Sequence, residues 1–287
     1  MFRQAELVLS RTGVQIGIHS MITRRDEYFF DLNGYTVIPQ ALDHDHVVSI
    51  NAWIDALPPL KTGEWFGKVY VQSYGDIDGI NLQDIIEAGE IFERLIDHPA
   101  WNDHVRHYLG PSTKPYIYEI FINIRESGGY IGVHSGGHNV DHYQRSGRRN
   151  GQWVCPMLSV LAPLTDVQSG DGATVVIPGS HKSDFPHPGQ DSNGTISTRS
   201  GEQLEGAVEI HLKAGDALLF NDALCHGSAL PLNPGQRRMI AIRYVPAMHA
   251  HRFGYEPSAE LVARLSPERM AIVQPVKPRR RPDGRRQ

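Results

Sequence analysis

Apolar and polar positions change their rhythm once along this chain. Up to about residue 100 the apolar residues recur at helical spacing, and from Tyr116 onward they alternate. Residues 23–32 read as a helix stopped by Asn33-Gly34, and Tyr35-Thr36-Val37-Ile38 reads as a strand closed by Pro39. Asp43 is the natural cap of a second helix, with Val47, Ile50, Ile54 and Leu57 on one face and Pro58-Pro59 ending it. A third helix is expected over residues 82–96, with Ile85, Phe92 and Ile96 on a shared stripe and His98-Pro99 as its stop.

Strands are expected at residues 116–124, 154–161, 174–177, 207–212, 217–220 and 239–245. In the fourth, Val208, Ile210 and Leu212 alternate with Glu209 and His211, giving one buried and one wet face, and residues 213–216 make the turn to the next. Helices followed by many short strands predict an all-β core with flanking helices, a sandwich or jelly roll. Two polar, Gly-rich stretches, residues 126–151 and 179–206, are too long for plain connections and read as binding loops over a site. Residues 1–276 read as a single domain and residues 277–287 as a basic, disordered tail.

Composition narrows the class. Hydrophobic residues make up 40% and charged residues 21%, enough to bury a core and too apolar for intrinsic disorder. No apolar run approaches the ~20 residues of a membrane helix, and the first residues lack the apolar stretch of a secretory signal. Two cysteines, Cys155 and Cys225, give no disulfide framework, so a reducing, cytoplasmic setting is expected. Six basic residues against Asp283 give the tail +5, leaving −9 on the rest of a chain whose net charge is −4. A body that acidic argues against a nucleic-acid polymer as partner. Fifteen histidines point instead toward metal chemistry.

Three features carry that chemistry: His134-Ser135-Gly136-Gly137-His138, then Cys225-His226-Gly227-Ser228, then Arg237 eleven residues beyond His226. A non-haem Fe(II) oxygenase needs two His and one carboxylate on one face of the metal, with three positions left for a keto acid and O₂. Two residues of spacing on a strand end turn two side chains the same way, and a distant strand supplies the other His. An Arg can then fork onto the far carboxylate of the keto acid.

Here the chain resembles the phytanoyl-CoA dioxygenase-like Fe(II)/2-oxoglutarate enzymes. The resemblance runs from about Tyr28 to Val245. It includes the opening segment from Phe30 to Pro39, the stretch from Leu164-Thr165-Asp166 through Gly170-Asp171-Gly172 to Pro178-Gly179-Ser180-His181-Lys182, and the 92-residue interval between His134 and His226. It implies a double-stranded β-helix, iron held by His134 and His226, and 2-oxoglutarate held by Arg237 with Ser228.

One position departs from that family. Where it has a carboxylate two residues after the first His, this chain has Gly136. Related Fe(II)/2-oxoglutarate halogenases have Gly or Ala there, and chloride takes the ligand position with the same −1 charge as the missing carboxylate. The resemblance therefore implies chloride and O₂ beside Fe(II) and 2-oxoglutarate, and a product halogenated rather than hydroxylated. Three other readings stay open: a hydroxylase using another carboxylate such as Asp141, ligation by His138 or His142, and a small-molecule binder without chemistry.

The remaining candidates are individually weaker. Asn123 is expected either to donate to 2-oxoglutarate or to be a satisfied core amide, and Trp153 either to wall the co-substrate pocket or to pack in the core. Cys225 reads as a small buried hydrophobe. His138, Arg145, Arg148 and Arg149 on the first long loop, with His181 and Lys182 on the second, are candidate contacts for an anionic substrate, a nucleoside monophosphate being the leading guess.

Overall fold

The computed structural model describes residues 22–72, 79–110, 113–126, 129–138, 146–190, 196, 204–247 and 256–274. Asp141, His142, Arg145, the Arg149 side chain and the basic tail lie outside the described residues. The opening follows the sequence closely. Helix α1 (Arg24–Asn33) starts from Thr23, whose hydroxyl accepts from the Asp26 amide while the Asp26 carboxylate accepts from the Thr23 amide. It ends at Gly34 with φ +82°, a conformation that costs glycine nothing. Strand β1 (Tyr35–Ile38) follows, then α2 (His44–Asp55), capped by Asp43 and burying Val47, Ile50 and Ile54.

The expected third helix is not there. Residues 82–96 are divided among β4 (Ile80–Gln83), a 3-10 turn (Ile85–Ala88) and a single helical turn, α3 (Glu90–Glu93). Asp84 at φ +62° and Gly89 at φ +129° break the run. The apolar stripe is real, since Leu82, Ile85, Phe92 and Ile96 are all buried in one core. Residues 80–83 nevertheless make strand pairings on both sides, which the helical spacing concealed. Two strands before it, β2 (Trp65–Phe66) and β3 (Val69–Gln72), and a helix after it, α4 (Asn102–Leu109), were not foreseen.

The alternating half builds the barrel: β5 (Pro115–Arg125), β6 (Gly147–Arg149), β7 (Gln152–Val154), β8 (Leu158–Pro163), β9 (Thr174–Val176), β10 (Val208–Ile210), β11 (Ala217–Asn221), β12 (His226–Ser228) and β13 (Arg237–Pro246). The strand expected over residues 154–161 breaks at Cys155-Pro156, because proline has no amide to donate and restrains the residue before it. Eight strands form one antiparallel sheet in the order β1-β11-β8-β13-β5-β4-β3-β2, and three form a second, β10-β9-β12. Bridges His134↔His226 and Val133↔Ile196 extend the second sheet. This is the expected jelly roll, a double-stranded β-helix with flanking helices.

Strand parity divides the interior in two. Ile120, Ile122 and Ile124 of β5, with Ile240 and Ile242 of β13, face the helices in a core that includes Trp101, Tyr108 and Phe92. The opposite face of the same strands carries Glu119, Asn123 and Arg125 toward the second sheet. Trp153 belongs to the helix side, stacked edge-on against Phe30 and Tyr108. No described helix is long and apolar enough to cross a membrane.

Candidate metal centre and co-substrate pocket

His134 and His226 meet as cross-sheet neighbours. Each backbone amide donates to the other's carbonyl, at 2.9 and 3.0 Å, and the ring centroids lie 4.4 Å apart. The two rings are oriented by the same device. His134 Nδ1 lies 2.9 Å from the Gly132 carbonyl, and His226 Nδ1 lies 2.7 Å from the Leu224 carbonyl. A carbonyl oxygen only accepts, so each Nδ1 carries the proton and each Nε2 keeps its lone pair, the form a metal needs. Burial, then the neighbouring His134, hold His226 well below the ordinary imidazole range, so it is neutral at neutral pH. This donor set fits a two-histidine iron site. Among the described residues no third His, Cys, Asp or Glu joins them to complete a metal-holding group.

Past His134 the chain leaves strand geometry, with Ser135 at φ +69° and Gly136 at φ +125°. Two-residue alternation therefore does not carry from His134 to position 136. A Cβ placed on Gly136 would come within 2.6 Å of the His138 ring and 3.1 Å of Cys225 Sγ. The His138 imidazole thus fills the space a side chain at 136 would claim, and its Nδ1 is buried without a hydrogen-bond partner. Cys225 lies under the site, its thiol pushed up in pKa by burial.

A second cluster of buried polar groups lies on the inner faces of the two sheets. Arg237 and Arg125 are direct cross-strand partners on β13 and β5. Arg237 is 7% exposed and Arg125 3%. The guanidinium of Arg237 donates to Asn123 Oδ1 at 3.3 Å, while Asn123 Nδ2 donates to Asn81 Oδ1 at 2.7 Å, which fixes the amide's orientation. Arg125 donates to Ser228 Oγ at 2.5 Å, and the Ile131 amide donates to the same oxygen at 2.8 Å. With both lone pairs used, the Ser228 proton is left to donate elsewhere. Thr174 Oγ1, opposite Ser228 in the β9–β12 pairing, and Arg237 Nε are both buried without partners among the described residues. Burial, then the Arg125 charge, push Arg237 down to about 9. The buried Arg237 Nε and Thr174 Oγ1, without partners among the described residues, fit an anion such as the distal carboxylate of 2-oxoglutarate.

A cavity of about 790 Å³ opens beside Gln83. Its walls carry Trp65, Tyr70 and Tyr118 with Lys68, Asp84, Glu87, Glu119 and Glu256. Asp84 is raised to about 6, by burial and then by Glu87 and Glu119. A polar chain links this cavity to the histidines. Glu119 pairs with Arg243, whose Nε is 3.7 Å from Asp222 Oδ1, and the buried Asp222 carboxylate lies within electrostatic reach of His226 and His134. Ser159 donates to the same Asp222 oxygen at 2.7 Å.

Several expected substrate contacts are committed elsewhere. Lys182 pairs with Asp31 at 2.6 Å, and His181 donates from Nε2 to the Asp31 carbonyl at 3.0 Å, both tying the loop to α1. His181 is held neutral, pushed down to about 4 chiefly by burial. Arg148 is exposed and closes its own hairpin on the Gly151 carbonyl. Trp153 stands apart from the pocket, in the helix-side core. Sequence reasoning missed Arg125, Asp222, Asn81 and Thr174. Extending the inward parity of Asn123 by two residues would have found Arg125.

Residues 30–239 match the family described as phytanoyl-CoA dioxygenase (PhyH). "Dioxygenase cdmD" of Talaromyces verruculosus is 31% identical over 121 residues, which are 41% of this chain and 35% of that protein, so the chain spans about a third of this curated relative. HygX from Streptomyces hygroscopicus, solved with nickel, 2-oxoglutarate and hygromycin B bound, superposes with a TM-score of 0.64 at 24% identity, over 78% of this chain and 87% of that one. The epimerase SnoN, in complex with Fe3+, alpha ketoglutarate and nogalamycin RO, superposes at 0.57 and 18% identity, over 78% and 83%. At such identities these two likenesses establish the fold alone.

Proposed function

The chain belongs to the phytanoyl-CoA dioxygenase family, and from that premise we propose that this iron- and 2-oxoglutarate-dependent dioxygenase-type enzyme is a halogenase that exchanges an unactivated C–H hydrogen of a small molecule for chlorine. The observation that carries the reading is Gly136, beside two preoriented histidines that no described carboxylate completes. Iron, when bound, would supply the oxidising chemistry that breaks the C–H bond, with O₂ as the oxidant and 2-oxoglutarate as the co-substrate decarboxylated to succinate and CO₂. His134 and His226 would hold the metal through Nε2. Arg237, oriented by Asn123, and the Ser228 hydroxyl fix the distal carboxylate and so set the direction from which the keto acid reaches the metal. Chloride at the ligand position keeps the charge a carboxylate would bring. The buried Nδ1 of His138, without a partner among the described residues, lies beside Gly136 and would donate to a halide in the tautomer protonated there.

We take the cavity beside Glu119 as the substrate's, and its four carboxylates with Lys68 suit a neutral or cationic small molecule. Mass spectrometry of turnover products from a panel of amine-bearing and neutral metabolites, run with and without chloride, tests the reading. A chlorine isotope pattern is expected; oxygenated products independent of chloride would replace it with a hydroxylase. One observation favours that second reading: Asp222 is a buried carboxylate near both histidines. Its contacts with Ser159 and Arg243 weigh against its serving as a ligand.

A further inference from the structure

Of the four carboxylates on the wall of the cavity beside Gln83, two are committed to the fold. Glu119 pairs with Arg243 and accepts from Gln83 at 2.9 Å, and Glu87 accepts from the Ser258 amide and hydroxyl at 2.9 and 2.5 Å. Glu256 is exposed. Asp84 differs from all three. It is half-buried, its side chain caps no backbone amide, and burial with the Glu87 and Glu119 charges opposes its ionisation, while no described cation or donor acts the other way. Lys68, on the same wall, is held by Glu260 at 2.5 Å and lies 3.9 Å from Glu87. A charge that the fold does not use, on the wall of a cavity, is a candidate for binding. The cavity also carries aromatic rings. Trp65 and Tyr70 lie 5.0 Å apart with their planes at 45°, and Trp65 is 62% exposed, so core packing does not consume its indole face. Such faces attract cations. Strand parity sets the cavity's place: Tyr70 pairs with Gln83 and Asn81 with Asn123, on the side opposite Val71 and Leu82 of the helix-side core.

We propose that Asp84 is the specificity-determining residue of this cavity: its carboxylate receives an ammonium group of the substrate, whose neighbouring carbons lie against Trp65 and Tyr70. The substrate class is then a small organic amine, cationic at neutral pH. An ammonium brings a positive charge and hydrogen-bond donors to a carboxylate that has neither. A hydroxyl in its place brings a donor without the charge, and a carboxylate adds one more negative group to a wall that already holds four. From this anchor the chain of Glu119, Arg243 and Asp222 leads toward the histidines. The inference rests on the reading of this cavity as the substrate's, and its test separates the two.

The test is a ligand-observed NMR titration of the full-length protein, Zn(II)-loaded and redox-inert, with 2-oxoglutarate present at neutral pH. Three probes share one ring and differ in charge: cyclohexylmethylamine, cyclohexylmethanol and cyclohexanecarboxylate. Wild type should bind the amine at least about tenfold more tightly than the alcohol, and the carboxylate most weakly. Asp84→Asn keeps the side chain's size and suits the same left-handed backbone. It should bind the amine no more tightly than the alcohol, with the alcohol's affinity unchanged within about twofold. Trp65→Leu, at an exposed position, should weaken the amine at least about threefold and the alcohol by less, which keeps the assignment testable if the Asn variant fails to fold. A wild type without preference for the amine, or an Asp84→Asn protein that retains that preference, overturns the assignment. Turnover tells it apart from the reading beneath it. Asp84-dependent amine binding with oxygenated products alone sinks the halogenase and leaves the amine site standing. Chlorinated product from a neutral substrate, formed equally fast by wild type and Asp84→Asn, does the reverse.

Discussion

Replacing Gly136 by Asp restores, in sequence, the carboxylate that the family carries, and the structure shows what that costs. The backbone at 136 has φ +125°, where a non-glycine residue pays roughly 1–3 kcal/mol. The new Cβ would also meet the His138 ring at 2.6 Å, an overpacking of roughly 1–3 kcal/mol unless the imidazole swings away. Gly136→Asp should therefore lower stability by about 2–6 kcal/mol on these two counts. His138→Ala removes only the second contribution. A double-mutant cycle in urea unfolding of the metal-free protein should show a coupling of about 1–3 kcal/mol between the two sites. Chloride dependence should vanish in Gly136→Asp, because a tethered carboxylate competes at an effective concentration far above free chloride. Additive unfolding energies would mean that His138 does not fill this space, and chloride-dependent product from Gly136→Asp would remove position 136 from the halide site.

Three further outcomes follow from the geometry. His226→Ala should abolish stoichiometric iron, because two neutral imidazoles are the only protein ligands assigned; equilibrium dialysis with retained iron would contradict the assignment. Asp84 is raised to about 6 from an ordinary 3.8, so the folded state holds its proton longer than the unfolded state. Its contribution is therefore favourable at low pH and is lost as pH rises between those values. Asp84→Asn should flatten that fall and stabilise the protein at pH 7 by at most about 3 kcal/mol, a change that side-by-side urea curves at pH 4.5 and 7 would detect or refute. Asp222→Asn should leave iron bound and perturb the Arg243 network; loss of iron from that variant, by dialysis, would favour the hydroxylase reading.

The sequence reveals the fold's logic more readily than its boundaries. Thr23, Asn33-Gly34 and Asp43 punctuate real helices because capping is local chemistry, satisfied within three residues of the signal. Residues 82–96 mislead because their helically spaced apolar side chains are buried by tertiary packing while Asn81 and Gln83 face the barrel interior, and strand pairing wins over local spacing. His134, His226, Ser228 and Arg237 were singled out by the family resemblance together with their spacing, and they lie on facing sheets. Arg125 was within reach of strand parity from Asn123, but Thr174 was hidden, because what brings it in is cross-strand register, which no local pattern encodes. Lys182 looks available along the chain, yet in the structure it is paired with Asp31.

The central claim is that chloride, not a carboxylate, completes the metal's protein-side coordination. Iron K-edge X-ray absorption of the anaerobic Fe(II)·2-oxoglutarate protein, recorded in chloride and in chloride-free buffer, tests it most directly. The account predicts a chlorine scatterer in the iron's first shell that disappears without chloride and in Gly136→Asp. An iron shell of nitrogen and oxygen alone, identical in both buffers, would contradict it.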